Sequence, residues 1–518
     1  MPADDHYVRL ILTALDRNPE RVAVWWGDRP VTAGTLADSV RVAAGAMVAQ
    51  SVGIGSVVGV LAEANSPATL ILRYAANLLG ATVVHPGATN AVNPADSLSA
   101  DDQVEMLSTA GLTMLIVDRA HLSRGRDLCA RVDRPVQLAG FDLAGTADIP
   151  DLATGEPFDE AKAACGDLAV VTYTSGSTGK PLGVSWSFPV KNQMVARTPR
   201  SPRPQTLLVT APLTHSTGKM ADNFLAVGGT VVLHDGFDAG RVLTDVGTRR
   251  INRVFLSAPQ LYALTDHPDR FSADLSSLLS LMYTGCAPSP SRLASAAEAF
   301  GPRLFQLYGS SECGQISWLN PAEHDRMELR DTAGRPVPPV TVSIREPDGD
   351  REVPAGEPGE VCVRTPWGMA GYWHEPEATA RVLRDGWIRT GDLGRLDASG
   401  YLRLDGRLGE VIKANGIKVY PSAVEQVLLD HPDVAQVAVF GVEDADRIER
   451  IHAVVVPRER TSLTGDQVRA LVTTRLSANH APARVEIRGD MPLAGLDKLD
   501  KKRLRAAAQA LLATTDPQ

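Results

Sequence analysis

Short apolar runs alternate with longer mixed stretches along much of the chain. Residues 57–61, Val-Val-Gly-Val-Leu, contain no polar member, the pattern of a strand covered on both faces. Residues 67–79 are long enough for a helix and residues 82–84 form the next run, so the order reads strand, helix, strand. Residues 169–173 and 183–188 predict two more strands with a loop between them. A second series lies at 253–257, 279–283 and 304–308, with stretches of helical composition between, such as 291–300. Each run ends in small or turn residues: Ala258-Pro259, Gly285-Cys286-Ala287-Pro288 and Gly309-Ser310-Ser311. In an open parallel sheet, ligands sit outside the carboxyl ends of the strands, so those three turns are expected to line one cleft.

The pattern changes further on. Residues 336–404 are rich in Gly and Pro around short apolar runs and predict a β-rich subdomain, and residues 405–409 read as a linker. A compact unit follows: helix over 422–429, strands over 436–440 and 451–456, helix over 465–478 and a helical tail over 501–513. It forms a small α+β domain of roughly 110 residues. The expected fold class is α/β, with a large N-terminal domain over 1–405, a hinge at 406–410 and a small mobile domain over 411–518. The Pro- and Arg-rich stretch 197–205 is expected to be a loop.

Composition removes several classes of function. The net charge of -9 argues against a general nucleic-acid binder, which shows a basic face. Cys129, Cys165, Cys286, Cys313 and Cys362 form no CxxC pair, so reduced thiols in a cytoplasm are expected. The start, MPADDHYVRL, lacks the basic-then-apolar order of a signal peptide. The most apolar stretch, residues 56–84, is broken by Glu63, Asn65 and Arg73, which argues against a membrane span.

Between the strands at 169–173 and 183–188 lies Thr174-Ser175-Gly176-Ser177-Thr178-Gly179-Lys180. Glycines let backbone N–H groups converge on an anion, hydroxyls add donors and Lys180 adds charge. It is not a Walker A loop, because Thr174 stands where that pattern has Gly and Pro181 follows the Lys. By composition alone it is equally a flexible hairpin loop.

The literal string is more specific. Tyr173 to Pro181 matches the signature of the adenylate-forming superfamily, which includes acyl-CoA synthetases, adenylation domains of peptide synthetases and luciferases. Further motifs resemble that superfamily in the expected order: Pro212-Leu213-Thr214-His215, Tyr308-Gly309-Ser310-Ser311-Glu312, Gly386-Trp387-Ile388-Arg389-Thr390-Gly391-Asp392, Gly406-Arg407, and Pro492 to Lys501. The resemblance implies ATP and Mg²⁺ as cofactors, with Glu312 holding the metal and Ser311 offering a hydroxyl to the α-phosphate. It implies that Tyr308 stacks on adenine opposite Gly285-Cys286-Ala287, that Asp392 accepts the ribose hydroxyls and that Arg407 supports ribose or phosphates. His215 would orient the acid and gate its pocket, and Lys498 would bridge the carboxylate and the α-phosphate. These types suit the reaction: carboxylate and ATP repel one another, and cations around the reacting pair stabilise the charge that develops.

The resemblance weakens in the part that handles the acceptor. Gly409 stands at the hinge position where Asp or Lys is usual, and Glu410 follows where Asp is usual. Asn415-Gly416 replaces a Gly-Gly pair, Arg447-Ile448-Glu449 stands near a usual Trp-Gly-Glu, and Asp497 precedes the final lysine. Leu182 replaces a common Lys of the phosphate loop. CoA is the first expected acceptor, a small amine giving an amide the second and a carrier protein the third. A catalytically silent nucleotide binder is a remote alternative. Asp222, seven residues past His215, is either a base for an attacking amine or a surface or helix-cap Asp. The acid pocket is expected to draw on Met220, Phe224, Gly309, Cys313 and Ser317, a set suited to an aryl or aliphatic acid. The protein is expected to be a monomer or homodimer.

Overall fold

The computed structural model describes residues 6–515 except 64, 87–97, 144–147, 175–181, 204, 286–287, 348, 415–416, 445–447, 459–460 and 495–497, with the side chains of 493–494, 498 and 512–515 also outside the description. Two large sheets carry the N-terminal part. One runs in the order Gly371–Tyr372, Leu182–Ser187, Leu168–Thr174, Thr82–Val84, Val57–Leu61, Met114–Val117 and Gln137–Gly140. It is parallel from Leu168–Thr174 onward. The other is parallel from Leu304–Ser310 through Ser280–Thr284, Arg253–Ser257, Thr206–Val209 and Thr230–Leu233 to Val22–Trp26. Antiparallel strands close both of its edges.

One core joins the two sheets. Val58, Val83 and Val170 enter it from the first and Leu207, Val209 and Val231 from the second, with the helix Pro67–Leu78 among them. Every residue of that helix is buried, as a helix with apolar surface all round requires. Ser66 caps it and Pro67 occupies its first turn, where a missing N–H costs nothing. Arg73, which broke the apolar run in the sequence, is buried inside this helix and has an ion-pair partner.

The strands Arg253–Ser257, Ser280–Thr284 and Leu304–Ser310 are adjacent and parallel. Their carboxyl ends therefore open on one side, as the sequence pattern predicts. The β-rich region is an antiparallel sheet built on Thr341–Arg345, Gly359–Arg364, Trp387–Leu396 and Leu402–Arg407. It also holds a helix, Pro376–Val382, too short to impose a periodic pattern on its sequence.

The predicted linker begins later than residue 405. Arg407 pairs opposite Asp392 in the strand Leu402–Arg407, and Asp405 is the extra residue of a bulge in that pairing. Gly406, at φ 139°, lets the backbone continue through it. A single helical turn, Leu408–Glu410, leads into the small domain. There, Val434–Glu443, Glu449–Pro457 and Arg484–Ile487 form a sheet. The helices Pro421–Leu429 and Gly465–Arg475 share one core with it, and Lys501–Thr515 packs into another. The small domain touches the large one where Ser289 Oγ donates to Asp430 Oδ1 at 3.1 Å and where Arg458 meets Asp266 at 3.3 Å.

Candidate active site

The end of the strand Leu304–Ser310 and the start of Trp387–Leu396 bring three predicted nucleotide residues together. Tyr308 donates its hydroxyl to Asp392 Oδ2 at 2.6 Å, and Arg407 Nε lies 3.0 Å from Asp392 Oδ1. Burial and the Asp392 charge push the Tyr308 phenol well above its usual pKa, so it stays a donor. The Asp392 charge likewise raises Arg407. Asp392 is positioned from below. Glu360 is buried in an ion pair with Arg389 and accepts the Gly391 N–H at 3.1 Å, and Thr390 Oγ1 accepts the Asp392 N–H at 3.1 Å. A carboxylate offers about four acceptor positions, so Asp392 retains capacity for ribose hydroxyls.

Glu312 occupies the turn between Leu304–Ser310 and Gly314–Leu319, with Ser311 beside it. Gly309 lies near the end of the strand that enters this turn, where a Cβ would meet the Gly314 carbonyl oxygen at 2.2 Å. Tyr372 donates to Glu312 Oε1 at 3.0 Å, and the Met369 N–H binds the Glu312 carbonyl at 2.7 Å. Among the described residues, no group of three or more His, Cys, Asp or Glu side chains forms a metal cage. A single carboxylate fits Mg²⁺, which keeps most of its water and is held by one or two carboxylates plus substrate phosphates.

The side predicted for the acid holds the helix Ser216–Ala226, with His215 at its N-cap and the His215 ring 3.0 Å from Thr214 Oγ1. Here the structure corrects one expectation. Asp222 is fully buried, with Oδ1 accepting from Arg73 and Tyr74 at 2.5 and 2.6 Å and Oδ2 from Lys191 at 2.5 Å. Burial by itself would raise its pKa, but the charges of Arg73 and Lys191 prevail and hold it below the usual carboxylate range. A satisfied, buried carboxylate of low basicity is placed to tie the helices Pro67–Leu78, Phe188–Ala196 and Ser216–Ala226 together, not to take a proton from an amine.

The predicted pocket is also revised. Met220 and Phe224 are half-buried at its edge, and Gly309 is exposed. Cys313 is buried in the core of the β-rich part, and Ser317 is buried with its hydroxyl donating to the Ala333 carbonyl. The sequence reading missed Lys219, one helical turn after His215. Its ammonium lies 3.0 Å from the centre of the Trp186 ring. Burial, then the nearby charge of Lys191, pushes it well below the usual lysine range, against the pull of Asp222 and Glu312. The lysine's four-residue spacing from His215 was the available signal.

Thr174 ends the strand Leu168–Thr174. The rest of the phosphate loop, Ser175, Gly176, Ser177, Thr178, Gly179 and Lys180, lies outside the described residues, as do Cys286 and Ala287. Gly285 follows the strand Ser280–Thr284 at φ 110°. Lys498 lies in a short hairpin strand whose side chains are outside the description.

Family models match the chain twice: AMP-binding enzyme over residues 12–373 and AMP-binding enzyme C-terminal domain over residues 423–498. The chain belongs to the AMP-binding enzyme family. It is an adenylate-forming ligase with the large and small domains of that family. It is 33% identical to the medium/long-chain fatty acid–CoA ligase FadD8 of Mycobacterium tuberculosis, over 97% of this chain and 90% of that one. It is 35% identical to the amide bond synthetase McbA of Marinactinospora thermotolerans, with a TM-score of 0.86 over 98% of this chain and 100% of that one. The o-succinylbenzoate–CoA synthetase of Bacillus subtilis in complex with ATP and magnesium ion is 26% identical, with a TM-score of 0.80 over 96% and 98%. Among the described residues, no helix is long and apolar enough to cross a membrane.

Proposed function

We propose that the protein joins a small carboxylic acid to ATP as an acyl-adenylate, releasing pyrophosphate, and then passes the acyl group to the thiol of CoA. The observation that carries the first half is the convergence of Tyr308, Asp392, Arg407 and Glu312 where the parallel strand Leu304–Ser310 ends against the antiparallel strands Trp387–Leu396 and Leu402–Arg407. Asp392 and Tyr308 bind the nucleoside, and Arg407 adds positive charge beside it. Mg²⁺ at Glu312 would neutralise phosphate charge. The substrate carboxylate attacks the α-phosphorus and the bond to pyrophosphate breaks. Lys498 and the loop 174–180 stabilise the charge of that transition state, Ser311 donates to the α-phosphate and His215 orients the acid.

A small amine is the second reading for the acceptor. It is favoured by the likeness to an amide bond synthetase over nearly the whole chain and by Gly409 and Asp497 in the acceptor-handling part. The test is mass spectrometry of the protein with ATP, Mg²⁺ and an acid library, followed by CoA or amines. Pyrophosphate and acyl-adenylate are expected first, then a thioester or an amide. Tight ATP binding with no pyrophosphate from any acid would sink the reading in favour of a silent nucleotide binder.

A further inference from the structure

We propose that Lys219 anchors a second anionic group on the acid, so that the preferred substrates carry a further carboxylate besides the one activated. This rests on the adenylation reading and names the substrate class of the same site.

The helix Ser216–Ala226 buries Thr217, Gly218, Ala221, Asp222 and Leu225. That leaves His215, Lys219 and Asn223, four residues apart, as a half-exposed polar stripe, with Met220 and Phe224 alongside. His215 leads the stripe, and Lys219 is one turn deeper. Trp186 fixes the ammonium from one side. It is 1% exposed and stands on the strand Leu182–Ser187, which leaves the phosphate loop. Among the described residues, the Lys219 ammonium has no hydrogen bond and no carboxylate within ion-pair distance.

The charge balance around it is uneven. Lys191 on Phe188–Ala196 and Arg73 on Pro67–Leu78 already share Asp222, so two cations occupy one carboxylate. Glu312, across the cleft, is bonded to Tyr372 and is the residue assigned to Mg²⁺. Among the described residues, Lys219 is therefore a third cation that feels Asp222 and Glu312 but forms no ion pair of its own. An unpaired ammonium in a partly desolvated wall is unfavourable, and a hydrocarbon acid beside it would leave it so. A second carboxylate supplies the missing charge through a charge-assisted hydrogen bond. The expectation of a plain aryl or aliphatic acid came from a pocket lining in which Cys313 and Ser317 are instead buried in the core.

The test compares acids of equal length with one and two carboxylates, such as hexanoate and adipate, in wild type, Lys219→Met and Lys219→Arg. Pyrophosphate release gives the ratio of kcat/KM for the two acids. Calorimetry with a non-hydrolysable ATP analogue measures the affinity for each acid without turnover. Relative to Lys219→Met, the wild-type ratio is expected to favour the two-carboxylate acid by about 10- to 100-fold, the range of one hydrogen bond to a charged group. Lys219→Arg keeps most of that preference. The tighter binding of the two-carboxylate acid in wild type is lost in Lys219→Met. Turnover with the same ratio in wild type and Lys219→Met overturns this inference alone. So does a defect confined to acyl transfer, which would make Lys219 a proton acceptor. If no acid is turned over while the two-carboxylate acid still binds more tightly to wild type than to Lys219→Met, adenylation fails and the anchor stands.

Discussion

At the scale of single residues, the close contacts predict sharper effects than the exposed charges. Gly309→Ala drives a methyl into the Gly314 carbonyl and must open the turn that carries Glu312. A raised KM for ATP in pyrophosphate release is expected, and a KM equal to wild type would show that the turn gives way freely. His6 offers a pH test. Its Nδ1 accepts the Val8 N–H at 3.2 Å, so Nε2 carries the proton and donates to the Asn77 carbonyl at 3.0 Å. Burial holds its pKa at about 4. The unfolded chain protonates this group below about pH 6.5 while the folded chain does not, so stability falls as pH drops from there towards 4. The slope is about 1.4 kcal/mol per pH unit for such a group. Denaturant titrations at pH 7 and 5 should show His6→Gln to be less pH-sensitive than wild type, and equal sensitivity would refute the buried neutral ring.

At the scale of elements, Asp222 holds three helices through Arg73, Tyr74 and Lys191. Asp222→Asn leaves two buried cations short of their counter-charge, a loss of about 3 to 5 kcal/mol for a broken buried pair. A lower melting temperature is expected, with pyrophosphate release and acyl transfer falling in parallel. A variant of normal stability that lost only acyl transfer would restore the base role. The depressed Asp222 pKa has its own direction: its contribution is full above about pH 4, the ordinary Asp value, and fades as pH falls through the folded-state pKa.

At the scale of the molecule, the small domain rests on the large one through a few polar contacts, Ser289 to Asp430 and Asp266 to Arg458. Lys498 belongs to that small domain. Lys498→Ala is expected to abolish acyl-adenylate formation yet spare reaction of a supplied acyl-adenylate with its acceptor. Equal loss of both steps, measured separately, would remove the lysine from its assigned place.

The local patterns carried far. The runs at 57–61, 82–84 and 253–257 are strands with those bounds, because a strand covered on both faces is apolar through its middle. The motifs at Tyr308, Glu312, Asp392 and Arg407 meet in space because they terminate or pair such strands. What a linear string does not contain is the partner of a buried charge. Arg73 and Asp222 are 149 positions apart, so one read as a break in an apolar run and the other as a base or a surface or helix-cap Asp until the fold joined them. Cys313 and Ser317 followed a strand end in the sequence, yet their inward side was set by the β-rich part packed against them. Lys219 owes its environment to Trp186 and to the cations around Asp222, all brought to it by the fold. The sequence by itself determined the strands and the motifs, because these follow from residue type and spacing, and it pointed to the activation chemistry through the resemblance those motifs carry. Only the tertiary structure decided which charges are neutralised, because that depends on distances between segments remote in the chain.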